Sequence, residues 1–63
     1  MTLNWYINDD HFAARTEDGT YTVGDWGGGK VHVRYPDGGS ITARMSLQDG
    51  KERAQHHYDE RRA

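Results

Sequence analysis

The sequence contains no cysteine and a single proline in 63 residues. Without cysteine, neither a disulfide nor a thiolate zinc site can support so small a domain, and nothing points to an oxidising compartment. No apolar run is long enough to span a membrane, and the stretch MTLNWYINDD lacks the basic start and the apolar segment of a signal peptide. We therefore expect a cytoplasmic protein.

Apolar residues are also scarce: they make up 33% of the chain, and the mean hydropathy is -1.09. The two tryptophans, four tyrosines and one phenylalanine nevertheless argue against disorder. A chain this short buries only about 60% of the surface that it exposes when unfolded. We therefore expect one domain, residues 1–63, with a thin aromatic core whose stability a partner or a second copy would increase.

Alternating apolar and polar residues predict five short strands, at about 3–7, 11–16, 20–25, 30–35 and 40–45. The segments between them are rich in Asp, Asn and Gly, which favour turns, and the triple glycine at 27–29 supplies the positive φ angles of a tight reversal. After residue 45 the hydrophobic period changes from two to between three and four. This change predicts a helix at about 47–61.

The predicted helix begins with a capping signal, since Ser46 precedes Asp49 by three residues. Its apolar stripe is thin and depends on Leu47, Ala54 and Tyr58. Gly50 interrupts it, either to let the helix approach the sheet closely or as a simple cost of about 1 kcal/mol in helix propensity. Together the patterns predict an α+β fold, an antiparallel meander of four or five short strands with one C-terminal helix packed on one face.

The period of the strands assigns each side chain to one of the two faces of the sheet. Leu3, Trp5 and Ile7 share one face of the first strand, and Tyr21 and Val23 share one face of the third. We expect the following residues to face the helix: Phe12, Ala14, Val31, Val33, Tyr35, Ile41, Ala43 and Met45. Lys30, His32 and Arg34 then point the other way. Acidic residues fall in or beside turns: Asp9, Asp10, Glu17, Asp18, Asp25 and Asp37. The expected result is a basic open face with an acidic rim.

Seven residues are candidates for partner binding on this open face: Trp26, Lys30, His32, Arg34, Arg44, Arg15 and Tyr6. Trp26, beside three glycines, either anchors a partner or folds back over the sheet edge to cap the core. The face itself fits three interpretations, namely a solvated surface that prevents aggregation, a site for an acidic protein and a site for nucleic acid. The acidic rim disfavours duplex DNA, whose phosphates it would repel.

Catalytic and metal-binding patterns are weak. His56 and His57 are adjacent, so they cannot form the i, i+4 pair typical of zinc sites on helices, and His11 and His32 lie far away in sequence. The stretch GDWGGGK lacks the spacing of a phosphate-binding loop and leads into a strand. The chain offers no thiol nucleophile and little volume for a cleft. We expect no enzyme activity, no cofactor and no metal.

The helix resembles that of small uncharacterised phage and prophage proteins of bacteria, a strand meander closed by the pattern S-L-x-x-A-K-x-x-A-Q-x-x-Y-x-x-R. The matching residues are Ser46, Leu47, Lys51, Ala54, Gln55, Tyr58 and Arg61, with Gly50 where alanine is usual. The resemblance covers mainly the last third of the chain and transfers no catalytic residue. It implies a binding protein of the host cytoplasm that inhibits or modulates a host protein complex, possible roles including anti-CRISPR or other anti-defence functions. A nucleic-acid-binding module and a self-associating module, such as a homodimer, are the alternatives.

Overall fold

A computed structural model describes residues 2–62 of the chain as a five-stranded antiparallel sheet followed by one helix. The strands are paired in sequence order, so the sheet is a simple meander. The elements are β1 (Tyr6–Asn8), β2 (His11–Thr16), β3 (Gly19–Gly27), β4 (Lys30–Arg34), β5 (Ser40–Arg44) and α1 (Leu47–Arg62). The predicted α+β fold is confirmed, and the helix of these residues is not long and apolar enough to cross a membrane.

The core lies between α1 and the middle of the sheet. Tyr21, Val23 and Val33 are fully buried, and Ala54 and Tyr58 of the helix pack against them. The helix lies over β3 and β4. Tyr35, Ile41, Met45 and Leu47 are only partly buried at the margin of this cluster. The core is therefore as thin as the composition predicts.

Gly50 is the point of closest approach between helix and sheet. It is buried, and a Cβ atom at this position would lie 2.9 Å from Val23 Cγ1 and 3.0 Å from Val31 Cγ1. Real Cβ atoms essentially never come so close. Of the two interpretations of Gly50, close packing is therefore correct.

The helix begins as its sequence predicts. The backbone N–H of Asp49 donates to the Ser46 hydroxyl oxygen at 3.0 Å, which satisfies one of the free donors of the first turn. The Ser46 carbonyl accepts the first helical bond, from the Gly50 N–H. Ser46 is thus the N-cap.

The first strand is shorter than predicted and lies later in the chain. Residues 3–5 are not part of the sheet, because the chain turns toward the helix there: the Leu3 N–H donates to Gln55 Oε1 at 2.8 Å. Leu3 is buried and Trp5 is half-buried against the core, although neither belongs to a strand. A hydrogen bond to a residue 52 positions away is not visible in local alternation.

Ile7 lies on the helix side of the sheet but is not part of the core. It lies opposite Phe12, which in turn lies opposite Val23, so it does point to the helix side of the sheet. However, β1 is the edge strand and α1 covers β3 and β4, so Ile7 is 72% exposed. Phe12 is only partly buried, and the Lys51 ammonium lies 3.8 Å from the centre of its ring.

The third strand extends past its predicted end to include Trp26. Asp25 pairs with Val31 and Gly27 with Lys30, so Trp26 is the extra residue of a β-bulge. The reversal that follows uses Gly28 and Gly29, with φ angles of 64° and 78°, as the triple glycine predicts. Trp26 is therefore held by a strand, not by a loose turn.

Candidate functional site

The face of the sheet opposite the helix, here called the open face, collects all seven predicted contact residues. The strand register places His11, Gly24, His32 and Thr42 in one row across it. Lys30 and Arg44 lie opposite each other in a second row, and Arg34 lies between Thr22 and Ser40 in a third. Tyr6 and Arg15 share this face at the β1–β2 side.

A groove of about 550 Å³ runs over the middle of the open face. Gly24 forms its floor. Because Gly24 has no side chain, the space between its two neighbours in the sheet, His11 and His32, stays open. Trp26 and Arg34 also line the groove, with Asp10 and Asp25 at its margin. A Cβ atom on Gly24 would lie 3.3 Å from His11 Cβ, so any other residue would crowd this flank.

Trp26 and His32 form a single aromatic platform. Their rings are stacked with centroids 4.5 Å apart and planes 8° from parallel. His32 Nδ1 lies 2.7 Å from the Thr42 hydroxyl oxygen, which fixes the imidazole on its strand. Trp26 is 66% exposed, so the alternative in which it caps the core is wrong. An ordered, exposed indole of this kind is typical of a binding anchor.

The positive charges around the platform are available for a partner. Within residues 2–62, no salt bridge involves Lys30, Arg34 or Arg44. Arg15, in contrast, contacts an aromatic ring: its guanidinium carbon lies 5.9 Å from the centre of the Tyr6 ring. Unpaired arginines on one surface favour bidentate contacts with carboxylates or phosphates.

The acidic rim is only partly where the sequence places it. Asp10 and Asp25 border the groove; Asp10 Oδ1 lies 3.4 Å from His11 Nδ1, and Asp25 accepts the Gly27 N–H at 2.7 Å. Glu17 and Asp37 instead pair with Arg62 and Arg61 at the end of the helix. Their charges are neutralised there, which leaves the open face more basic than the predicted rim implies.

A second polar cluster, which sequence reasoning missed, lies between the helix and the turn at 35–39. His57 Nδ1 lies 2.8 Å from the Tyr21 hydroxyl, its Nε2 lies 3.3 Å from Asp37 Oδ2, and its ring stacks on Tyr35 at 4.1 Å. The sequence offers no signal for these three partners of His57. Both ring nitrogens of His57 are engaged, so the cluster joins helix to turn instead of presenting a free base.

Two pKa shifts accompany this cluster. Burial raises the pKa of Tyr21 above its usual value of 10.0. The Gly39 N–H, which donates to Asp37 at 2.8 Å, holds the pKa of that carboxyl below 3.8, and His57 and Arg61 act in the same direction. Asp37 is therefore an ionised acceptor at neutral pH.

Comparisons with known proteins give no assignment: no family model matches the chain, and neither the curated proteins nor the solved structures contain a match. The resemblance to phage proteins stays a prediction that rests on the helix pattern. In the described part of the chain, no group of three or more histidine, cysteine or acidic side chains is arranged to hold a metal ion.

Proposed function

We propose that this chain is a non-enzymatic binding protein whose open face engages an acidic patch on another protein. The observation that carries the proposal is the exposed Trp26–His32 stack, surrounded by Lys30, Arg34 and Arg44, which form no salt bridge within residues 2–62. Tryptophan and arginine are the residues most enriched at energetic centres of interfaces.

The two parts of the site have different tasks. The indole supplies apolar area in a fixed orientation, because the β-bulge and the His32 ring hold it. The arginines supply charge that steers an acidic partner and fixes its register. The groove over Gly24 gives a partner side chain room to lie between His11 and His32.

The resemblance of the helix to phage proteins extends the proposal to a class of partner. On that basis the target is a host protein complex in the bacterial cytoplasm, and the effect is inhibition or modulation, with an anti-CRISPR or other anti-defence role as the most specific form. A chain of 63 residues acts in such a role by covering a surface, which requires binding and no chemistry.

Affinity capture from bacterial lysate tests the proposal, with the wild-type chain and Trp26→Ala as baits and each lysate divided into samples with and without nuclease. We expect a stoichiometric protein partner that survives nuclease and is strongly reduced on the Trp26→Ala bait. Equal capture by both baits would place the binding site elsewhere. Circular dichroism of the variant provides the folding control, since Trp26 is exposed and its loss leaves the core intact.

A single-stranded nucleic acid is the second candidate for the same face, because bases stack on exposed aromatic rings and Trp26 and Tyr6 are both exposed. Asp10 and Asp25 at the groove margin count against it, since they repel phosphates. Recovery that disappears with nuclease would select this candidate. Its affinity would then fall linearly with the logarithm of salt concentration, with a slope set by the number of phosphates contacted.

A further inference from the structure

The outer edge of β5 presents unpaired backbone groups in a regular array. Among the described residues 2–62, β5 is the last strand in the sheet order and pairs with β4 alone. The Tyr35 N–H donates to the Gly39 carbonyl and the Met45 N–H to the Gly29 carbonyl, at the two ends of this strand pair. Hydrogen-bonded pairs alternate along an antiparallel ladder, so Ile41 and Ala43 bond to β4. Ser40, Thr42 and Arg44 therefore direct their N–H and C=O groups away from the sheet.

The helix side of the same strand is incompletely covered. Ile41 and Ala43 are half-buried, because α1 lies over β3 and β4, one strand further in. A groove of about 730 Å³ also separates the helix flank from Tyr35, which follows β4. The edge thus combines free hydrogen-bonding groups with apolar side chains that gain burial from another strand.

We infer that this edge pairs with β5 of a second copy, antiparallel about a two-fold axis at Thr42. In that register Thr42 faces Thr42 of the second copy, and Ser40 faces its Arg44. These three opposed pairs are all of the hydrogen-bonded type, so every outward N–H and C=O of Ser40, Thr42 and Arg44 finds a partner. On the helix side, Ile41 of each copy packs against Ala43 of the other.

The charges of the chain suit this self-pairing. The two copies of Arg44 lie four residues apart along the joined strands, about 13 Å, which exceeds the screening length of physiological salt. The helix flank that lines the groove at Tyr35 carries charges of both signs, namely Asp49, Glu52, Arg53, Glu60 and Arg61. A two-fold axis normal to the sheet runs the two flanks in opposite directions, so they do not present charges of a single sign to each other.

The opposite edge does not offer an equivalent surface. β1 has three residues, whereas β5 has five, and short edge strands resist pairing. An isologous contact through β5 therefore closes at two copies and does not propagate into a fibre. Because the two-fold axis is normal to the sheet, the open faces of both copies lie on the same side, but the inference does not depend on the function proposed for them.

The test measures the mass of the purified chain by analytical ultracentrifugation from micromolar to millimolar concentration. We expect the mass to rise with concentration from 7.2 kDa to twice that value. Thr42→Lys and Thr42→Glu should each weaken self-association several-fold, because like charges would then meet at the two-fold axis. An equimolar mixture of the two variants should restore it, because the pair at the axis then has opposite charges.

Thr20→Lys and Thr20→Glu are the matched controls, since Thr20 is exposed on the open face, as Thr42 is, but lies in β3, away from the β5 edge. Circular dichroism establishes that each variant is folded. A wild-type chain that stays at 7.2 kDa at millimolar concentration would overturn the inference. So would a dimer that persists in both Thr42 variants, or a mixture that fails to restore the dimer.

Discussion

Gly50 and Trp26 illustrate two opposite uses of a single residue in this chain. Gly50 contributes by having no side chain, since three valines of the sheet occupy the space that a Cβ atom would need. Trp26 contributes a large side chain that lies outside the core, exposed on the open face and stacked on His32. Gly50 departs from the preference for strong helix formers inside a helix, and Trp26 departs from the preference for buried indoles.

Gly50→Ala tests the close packing of helix and sheet. Overpacking against Val23, Val31 and Val33 costs about 1–3 kcal/mol, while alanine regains roughly 1 kcal/mol of helix propensity. We expect a net loss of about 1 kcal/mol in the free energy of unfolding, measured by urea denaturation. In a Val23→Ala background the loss should shrink, since the nearest methyl group is gone. A Gly50→Ala chain that is more stable than the wild type would contradict the packing.

At individual positions the sequence predicts the basic candidates on one face, but it places Trp26 in the glycine-rich turn and leaves its exposure open. The alternation of side chains along β4 places Lys30, His32 and Arg34 on the face of the sheet away from the buried valines, and the observed strand register agrees. Continued one residue past the predicted end of the strand, the same alternation places Trp26 on the open face, where it stacks on His32. The partners of His57 come from β3 and the turn at 35–39, and no local pattern encodes such contacts.

The strands and the helix follow their local sequence closely, since period, turn chemistry and the Ser46 cap agree on most boundaries. β1 is the exception, and its cause is tertiary: Leu3 is drawn toward Gln55 of the helix and leaves the sheet. Ile7 is a second example. Alternation predicts the face of the sheet on which it lies, but it does not predict that the helix covers only β3 and β4 and leaves Ile7 exposed. Coverage by a distant element is a property of the assembled fold.

Asp37 connects the turn at 35–39 to α1 through His57 and Arg61, and we expect the stability of this connection to depend on pH. Its pKa in the folded chain is lower than the ordinary 3.8, chiefly because of the Gly39 N–H. A depressed pKa stabilises the fold above the ordinary value, and the stabilisation is lost as pH falls through the folded-state pKa. Asp37→Asn should therefore lower the stability at neutral pH.

Urea denaturation of Asp37→Asn and wild type across the pH range measures this effect. We expect the two stabilities to converge well below pH 3.8, where the carboxyl of the wild type is protonated. Asp18→Asn, which removes a charge from the neighbouring turn, controls for net charge. A difference between Asp37→Asn and wild type that stays constant with pH would mean that the ionised carboxylate does not stabilise the connection.

The molecule as a whole divides its few large side chains between two tasks. One face of the sheet and the helix share a core that holds Tyr21 and Tyr58, while the other face keeps Trp26 and the unpaired cations in solvent. An exposed aromatic side chain buries little apolar surface, so it adds little to the free energy of unfolding of a chain whose stability is marginal. An ordered tryptophan on the open face is what the proposed partner binding requires.

The most direct measurement compares how much partner is captured by Arg34→Glu and by Arg53→Glu. Both variants change the net charge equally, and both positions are exposed, but Arg34 lies in the groove of the open face and Arg53 on the helix. Binding through the open face predicts that capture is abolished by Arg34→Glu and retained by Arg53→Glu, with the midpoint of thermal unfolding nearly unchanged in both. Loss of capture with Arg53→Glu and retention with Arg34→Glu would contradict it and place the partner on the helix side.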